Sequence, residues 1–398
     1  TITTDNGDIT ITGHGKNAAG TNGLQGIRIT SGTVLDTTAG NITLDGTSGA
    51  GASFNEAVRI ANAGTQITSV DGDISITGKS NAGNSGNKNV GILLNGGASV
   101  TSTGESGDAG TITLSGTGGD GNTANFGVQL RGLNDGGTTP SGQETRITSV
   151  AGDINITGTG GANGDKNNHG VLMHDEAVIK STGRIADEGH AAGITIDGHG
   201  GFSSRNNNGV DVTGAGSLIS SVDGAIEMTG RGGLEESSNG IVMAGGAAIV
   251  SEGETGDAAT IAIDGTGGAG TNNENRGVSI FGAPTRITSV AGDIDITGQG
   301  VTDGSSSGNE GIVFENGAYV QSTGTIADEG HAAAITLEGT GGAGVFGNMG
   351  VRLNGSGTML TSVDGDITVK GQGGSDGTGG YRRCRYGDQF RDRDERQG

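Results

Sequence analysis

The segment Ser69-Val70-Asp71-Gly72-Asp73-Ile74-Ser75-Ile76-Thr77-Gly78 decides the fold, because its pattern returns along almost the whole chain. Two aliphatic residues flank a polar one in this segment, so the side chains alternate between the two faces of a β-strand. The first aliphatic residue is an isoleucine in every copy, at intervals of 32 to 42 residues: Ile9, Ile42, Ile74, Ile112, Ile154, Ile194, Ile226, Ile261, Ile294, Ile335 and Ile367. A unit that recurs at this interval is typical of solenoid proteins.

Two further strand patterns occur within each repeat. One is glycine-aliphatic-any-aliphatic, as in Gly127-Val128-Gln129-Leu130, and the other is aliphatic-any-serine, as in Ile67-Thr68-Ser69. Such short strands are unstable alone, but stacked copies pair in parallel and fill one continuous core. Parallel strands joined by crossovers are almost always connected right-handedly. We therefore predict an all-β protein, a right-handed parallel β-helix of about eleven three-stranded coils.

The serine of the third pattern forms a column of small polar residues. Because it stands two positions from an inward aliphatic residue, its side chain also points inward. We expect the stacked hydroxyls to form hydrogen bonds from coil to coil. Helix should be nearly absent, since no stretch has a sustained 3.6-residue periodicity. The column consists of Thr4, Thr37, Ser69, Ser102, Ser149, Ser181, Ser221, Ser251, Ser289, Ser322 and Ser362.

Composition divides the chain into a repeat domain, residues 1–380, and a different C-terminal segment, residues 381–398. The segment holds six of the 22 basic residues and the only cysteine. We predict that this arginine-rich tail is disordered or out of frame; an arm for nucleic acid or an acidic surface is the alternative. The repeat domain has 16 basic and 40 acidic residues. This negative charge disfavours binding to nucleic acid or anionic lipid.

The chain lacks the sequence signals of a membrane span and of a complete gene product. No run of about 18 apolar residues occurs, so we predict no transmembrane segment. The sequence begins at Thr1 within a repeat, without an initiator Met or a signal peptide. We therefore expect it to be joined to the rest of a longer polypeptide.

Alternate coils carry a longer connection between the inward serine and the next isoleucine, at 103–111, 182–193, 252–260 and 323–334. Calcium binds carboxylate and carbonyl oxygens, which makes these connections candidate calcium sites. Solvated turns copied by duplication are the alternative. Zinc is disfavoured because His190 and His331 each stand alone, and no other cofactor is predicted. The calcium candidates are Glu105, Asp108, Asp187, Glu188, Glu254, Asp257, Asp328 and Glu329.

A unique insertion lengthens one coil between the glycine-aliphatic strand and the next strand, over residues 131–146. An insertion on a regular scaffold is a candidate for ligand contact. A surface insertion that the fold tolerates without a function is the alternative. The candidate contact residues are Arg131, Asn134, Asp135, Glu144 and Arg146.

The copies at 69–78, 149–158 and 289–298 share the form Ser-Val-any-Gly-Asp-Ile-any-Ile-Thr-Gly. This pattern resembles the repeats of filamentous haemagglutinin-type exoproteins and of bacterial β-strand-repeat surface proteins, and the resemblance covers about residues 1–380. It implies a β-helical shaft at the cell surface or in the medium. The partners it implies are a host or neighbouring cell surface and matrix glycans or proteins.

Two other observations bear on the class of function. A polysaccharide-degrading enzyme needs convergent acids and usually aromatic platforms, whereas the repeat domain has no Trp and a single Tyr, Tyr319. An ice-binding face needs an unbroken Thr array, but the outward column alternates Thr77 and Thr157 with acids such as Asp45 and Asp197. We therefore predict a structural or adhesive shaft and no enzyme, with polysaccharide binding or degradation as the alternative.

Overall fold

The strands form three parallel sheets that wind into a right-handed β-helix with three strands per coil. This computed structural model describes residues 1–107, 109–133, 144–270, 273–301 and 307–374. Residues 381–398, for which we predict a disordered or out-of-frame tail, lie outside the described residues. The fold class predicted from the repeats is confirmed.

The three sheets, A, B and C, take every third strand in chain order. Sheet A contains β1 (Ile2–Thr4), β4 (Val34–Thr37), β7 (Gln66–Ser69), β10 (Ser99–Ser102), β13 (Arg146–Ser149), β16 (Val178–Ser181), β19 (Leu218–Ser221), β22 (Ala248–Ser251), β25 (Arg286–Ser289), β28 (Tyr319–Ser322) and β31 (Met359–Ser362). Sheet B contains β2 (Ile9–His14), β5 (Ile42–Thr47), β8 (Ile74–Lys79), β11 (Ile112–Thr117), β14 (Ile154–Thr159), β17 (Ile194–His199), β20 (Ile226–Arg231), β23 (Ile261–Thr266), β26 (Ile294–Gln299), β29 (Ile335–Thr340) and β32 (Ile367–Gln372). Sheet C contains β3 (Ile27–Thr30), β6 (Val58–Ala61), β9 (Ile92–Asn95), β12 (Val128–Arg131), β15 (Val171–His174), β18 (Val210–Thr213), β21 (Ile241–Ala244), β24 (Val278–Phe281), β27 (Ile312–Glu315) and β30 (Val351–Asn354).

Equivalent residues of successive coils stack directly on one another. Ile112 pairs with Ile74 on one side and with Ile154 on the other, and all three side chains are fully buried. The isoleucine column and the apolar residues of sheets A and C form one core cluster that runs between the sheets. Because each short strand, apart from those at the two ends of a sheet, lies between two neighbours, its backbone groups are paired on both sides.

A glycine in each coil allows the chain to turn from sheet B towards sheet C. A Cβ atom on Gly158 would lie 2.2 Å from the carbonyl oxygen of Gly170, and one on Gly116 would lie 2.2 Å from that of Gly127. No side chain fits at such a distance from the backbone. This explains why the fifth residue of every sheet B strand is glycine.

An asparagine ladder, which our sequence analysis did not identify, joins the coils just before sheet C. The backbone N–H of Asn125 donates to Asn168 Oδ1 at 3.0 Å, and that of Asn168 donates to Asn207 Oδ1 at 3.1 Å. These three side chains are fully buried. The ladder satisfies backbone donors that the sheets leave without partners. Its members are Asn55, Asn89, Asn125, Asn168, Asn207, Ser238, Asn275, Asn309 and Asn348.

The serine column points inward as predicted, but the predicted hydrogen bonds from coil to coil are wrong. The hydroxyls of Ser221 and Ser289 donate to the carbonyl oxygens of Gly224 and Gly292, each at 2.5 Å. Hydroxyls of stacked coils can meet, as those of Thr148 and Thr101 do at 3.2 Å on the outer face, but the inward hydroxyls of Ser221 and Ser289 are directed to the turn of their own coil. The turn carbonyl is therefore the nearer acceptor. Six serine hydroxyls of the column have no hydrogen-bond partner among the described residues: Ser69, Ser102, Ser181, Ser251, Ser322 and Ser362. Four of these coils have a long connection in place of the short turn, whereas those of Ser69 and Ser362 do not.

Two of the long connections contain a single helical turn, α1 (Ile185–Glu188) and α2 (Ile326–Glu329). The sequence predicted almost no helix, and a four-residue turn is too short to give a 3.6-residue periodicity. Within the described residues, no helix has the length and apolar character that a membrane span requires.

A candidate ligand groove along sheet C

The outer face of sheet C contains a groove, which we name the C groove, that runs across β15, β18, β21 and β24. Its floor consists of outward residues that are nevertheless shielded, since Asp211 is 8 %, Val242 6 % and Ser279 1 % exposed. The cavity above this floor has a volume of about 470 Å³. A second cavity of about 380 Å³ shares Glu274 and Arg276 with it and reaches Arg352 on β30.

One side of the C groove is formed by the connections that enter sheet C. Asn167, Asn206, Ser237 and Glu274 line it, and all four have a left-handed backbone conformation, with φ between 53° and 65°. Each immediately precedes a member of the asparagine ladder. Non-glycine residues adopt this conformation rarely, so neighbouring contacts must stabilise it. The ladder hydrogen bonds of the adjacent residues supply such contacts and hold the backbone of this side of the groove in place.

A polar cluster, the His169 cluster, lies at the centre of the groove. The backbone N–H of Asn208 donates to His169 Nδ1 at 3.1 Å, and Asn208 Nδ2 donates to Asp211 Oδ2 at 2.7 Å. Since Nδ1 accepts a hydrogen bond, the proton of the neutral imidazole is on Nε2, which lies 3.8 Å from Asp211 Oδ2. The ring of His169 stacks on Phe126 with a centroid distance of 5.4 Å. The cluster therefore presents one donor and one carboxylate side by side.

Both histidines of the groove are neutral near pH 7. Burial lowers the pKa of His169, although the Asp211 carboxylate acts in the opposite direction. Burial also lowers the pKa of His174, although the Asp175 carboxylate acts to raise it. A proton placed on either imidazole would lose hydration that the nearby carboxylate does not replace.

Arg131, one of the ligand-contact candidates, lies beside the groove on β12 and pairs in the sheet with His174. Its Nε is 3.0 Å from Asp175 Oδ2, and His174 Nδ1 is 3.0 Å from the same oxygen. Gln129 Nε2 is 2.9 Å from His174 Nε2. Arg131 thus belongs to a connected polar network at the border of the groove.

The other residues of the insertion are not brought to the same place. Glu144 and Arg146 line a separate cavity of about 370 Å³ on sheet A, together with Lys180. Asn134 and Asp135 lie outside the described residues. The structure therefore divides the insertion candidates between two faces of the β-helix.

The arginines of the second cavity are ion-paired. Arg276 Nε is 3.0 Å from Glu310 Oε2, and Arg276 Nη2 is 3.5 Å from Glu274 Oε1. Arg352 Nε is 3.3 Å from Glu310 Oε1, and Arg352 Nη2 is 3.4 Å from Glu315 Oε2. Glu310 is buried, so two guanidinium groups stabilise one carboxylate away from water.

Two carboxylates predicted as calcium ligands have a structural role in the helical turns. Glu188 Oε2 accepts a hydrogen bond from the backbone N–H of Arg184, and Glu329 Oε2 accepts one from Thr325, each at 2.6 Å. Thr325 Oγ1 in turn accepts from the backbone N–H of Asp328 at 3.1 Å. In α2 these two bonds form a reciprocal cap of the capping-box type, whereas in α1 the Arg184 side chain makes no cap hydrogen bond and only the bond to the Glu188 carboxylate is present.

The remaining calcium candidates are dispersed. Glu105, Asp187, Glu254, Asp257 and Asp328 are exposed, and Asp108 lies outside the described residues. The neighbouring His190 and His331 are held by hydrogen bonds between Nδ1 and the carbonyl oxygens of Ala151 and Ala291, at 2.9 and 2.8 Å. In the described part of the chain, no group of three or more His, Cys, Asp or Glu residues is placed to hold a metal ion. Calcium binding stays a prediction from the sequence.

The neutral histidines predict how stability depends on pH. Because the folded pKa values of His169 and His174 are below the ordinary histidine value of 6.5, the unfolded chain binds more protons in mild acid. The stability that this difference contributes is present above pH 6.5 and is lost as the pH falls through the lowered pKa values. We expect the free energy of unfolding, measured with urea, to decrease over this range. A His169→Gln/His174→Gln double variant should have a flatter profile, and an equally steep one would contradict the assignment.

No protein-family model, curated protein or solved structure matches this chain. The resemblance to filamentous haemagglutinin-type exoproteins stays a prediction from the repeats. What the C groove binds must therefore be argued from its chemistry.

Proposed function

We propose that this chain is a structural and adhesive shaft, exposed outside the cell or on its surface as part of a larger exoprotein. Its partners are a host or neighbouring cell surface and matrix glycans or proteins. The observation that supports this function best is a rigid stack of coils, joined by in-register strands and the asparagine ladder, that carries a shielded polar groove along one side. Such a stack holds a contact surface at a fixed distance from its attachment point.

Polysaccharide degradation is the second candidate, and the pairing of His169 with Asp211 in a groove is what favours it. Glycoside hydrolysis commonly uses two carboxylates on either side of the scissile bond. Among the described residues, the other carboxylate that lines this cavity is Glu274, which is ion-paired with Arg276. The C groove therefore supports binding better than it supports hydrolysis.

We expect attachment to be weak for single rods and strong for rods in an array, since several linked contacts raise the effective concentration. The measurement is retention on immobilised bacterial cells and matrix polysaccharides, comparing free protein with protein coupled to beads at increasing density. Beads that carry an unrelated protein of similar negative charge serve as the control. If retention does not exceed that of the control beads at any density, the adhesive function is wrong. Release of reducing ends by the free protein would instead favour degradation.

A further inference from the structure

We propose that the C groove binds a neutral polysaccharide chain, whose hydroxyl groups donate to Asp211 Oδ1 and accept from His169 Nε2–H. This inference rests on the proposed adhesive function and adds the chemical class of its ligand and the residues that hold it.

The first argument is a buried acceptor that lacks a donor. Asp211 is 8 % exposed as a residue and its side chain is 12 % exposed, but the Oδ1 atom itself is buried. This oxygen has no hydrogen-bond partner among the described residues, whereas Oδ2 accepts from Asn208. Glu310, a buried carboxylate of the neighbouring cavity, has an arginine at each oxygen. A buried carboxylate oxygen without a donor lowers stability. A ligand that supplies an O–H group to Asp211 Oδ1 removes this penalty.

The second argument is the mixture of groups around Asp211. Asn206, Asn239 and Ser279 supply neutral donors and acceptors to the same cavity, and hydroxyl groups of a sugar can pair with both kinds. Leu172 and Val242 lie between them on the floor. A pyranose ring has the same combination of an apolar C–H face and a rim of hydroxyl groups, so it matches this lining.

The third argument concerns the length of the groove. Phe281 borders the first cavity and is 37 % exposed, and Phe346 borders the second and is 71 % exposed. Exposed aromatic rings at both cavities offer flat apolar surfaces on which sugar rings pack. Because the cavities share Glu274 and Arg276, one extended chain can occupy both.

The fourth argument is electrostatic and excludes acidic polysaccharides. The arginine that lines the C groove, Arg276, is paired with Glu310 and Glu274, and Arg131 and Arg352 at its borders are also paired with carboxylates. His169 is neutral near pH 7 because burial lowers its pKa. A polyanion would therefore meet no uncompensated positive charge among the described residues that line the groove, and the net charge of the chain is −22.

The test is affinity electrophoresis of the full chain in gels that contain a soluble polysaccharide. The neutral probes are hydroxyethylcellulose, galactomannan, dextran and mixed-linkage β-glucan, and the acidic probes are polygalacturonate and alginate. We expect at least one neutral probe to retard the protein and the acidic probes to leave its mobility unchanged. If no neutral probe retards it, or if an acidic probe binds more tightly, the proposal is overturned.

The variant Asp211→Asn locates the site. The amide oxygen of the new side chain can still accept the hydrogen bond from Asn208. Its amide nitrogen then lies where Oδ1 of Asp211 lies now, so a donor replaces the acceptor. We expect the affinity for the neutral probe to fall by about tenfold, the effect of one good hydrogen bond. Asp264→Asn is the matched control, since Asp264 is exposed on sheet B and the charge change is the same. The control should retain full affinity.

A second variant keeps the test valid if Asp211→Asn does not fold. Phe281→Ala truncates a partly exposed side chain, so it should fold normally and weaken binding to the same probe. If the Asp211→Asn protein folds and keeps full affinity, the groove assignment is overturned. If only Phe281→Ala folds, full affinity in that variant overturns it.

The bead assay then separates the neutral-polysaccharide proposal from the adhesive-shaft proposal. If Asp211→Asn beads adhere as well as unchanged beads, the shaft function stands without this site, and if unchanged beads fail to adhere, the shaft function itself is wrong.

Discussion

Replacing Ile226 by Asp should lower the free energy of unfolding by about 4 to 5 kcal/mol, the range expected for a buried charge without a partner. Ile226 is fully buried, and it stacks between Ile194 and Ile261 in the core. The side chains of the core cluster around it are apolar, so they offer the new carboxylate no hydrogen-bond donor. Each coil is held mainly by its two neighbours, so the damage should remain close to β20.

Urea denaturation measures the loss of stability, and limited proteolysis followed by mass spectrometry finds the first sites of cleavage. We expect these sites in the coil of β20 and in the adjacent coils. Thr113→Asp is the control, because Thr113 is exposed on β11 of the same sheet, and its change should cost less than about 1 kcal/mol. If the Ile226 variant is as stable as the control, the apolar column does not stabilise the fold.

The second large effect is expected for Asn168→Ala, which removes one member of the asparagine ladder. The backbone N–H and the Nδ2 of Asn125 would both lose their acceptor, at 3.0 and 3.2 Å, inside a fully buried region. Unpaired buried donors cost about 1 to 3 kcal/mol each, so we expect a total loss of about 2 to 4 kcal/mol. Thermal and urea unfolding, followed by circular dichroism, are the measurements.

Asn163→Ala provides the matched control for the ladder. It is the same chemical change in the same connection, but the side chain of Asn163 is exposed and bonds only to Asp120 across the surface. Its loss should change stability by less than about 0.5 kcal/mol. Asn168→Ser should fall between the two, because Ser238 already occupies a ladder position. Equal losses for the Asn168 and Asn163 alanine variants would argue against a stabilising ladder.

The fold could be predicted from the sequence because its determinants are local and repeated. The alternation of apolar and polar residues around Ile74 predicts a strand, and the interval between Ile74 and Ile112 predicts the length of one coil. The asparagine ladder has an equally regular signal, Asn-any-Gly-aliphatic at Asn125 and at Asn168, and a search for polar columns before sheet C would have found it. The hydrogen bonds predicted within the serine column are wrong, because a shared inward direction does not by itself bring two hydroxyls within hydrogen-bonding distance.

The C groove could not be predicted in the same way. Leu172, Asp211, Val242 and Ser279 share no residue type, and each resembles an ordinary outward residue of its own strand. Only the register places them side by side on one floor, and only the walls shield Asp211 from water. The acidic connections show the opposite problem. Glu188 was predicted as a calcium ligand because it is charged, but its carboxylate accepts a hydrogen bond from the backbone at the start of a helical turn.

The direct stacking of equivalent residues restricts how the length of such a rod can change during evolution. Adding or removing one complete coil leaves every isoleucine, asparagine and glycine above an equivalent partner. A partial coil would misplace all three columns at once. Gene duplication therefore lengthens the rod in steps of whole coils, each about 4.8 Å. The matching segments at 187–190 and 328–331 lie four coils apart, as expected if a block of four coils was copied as a unit.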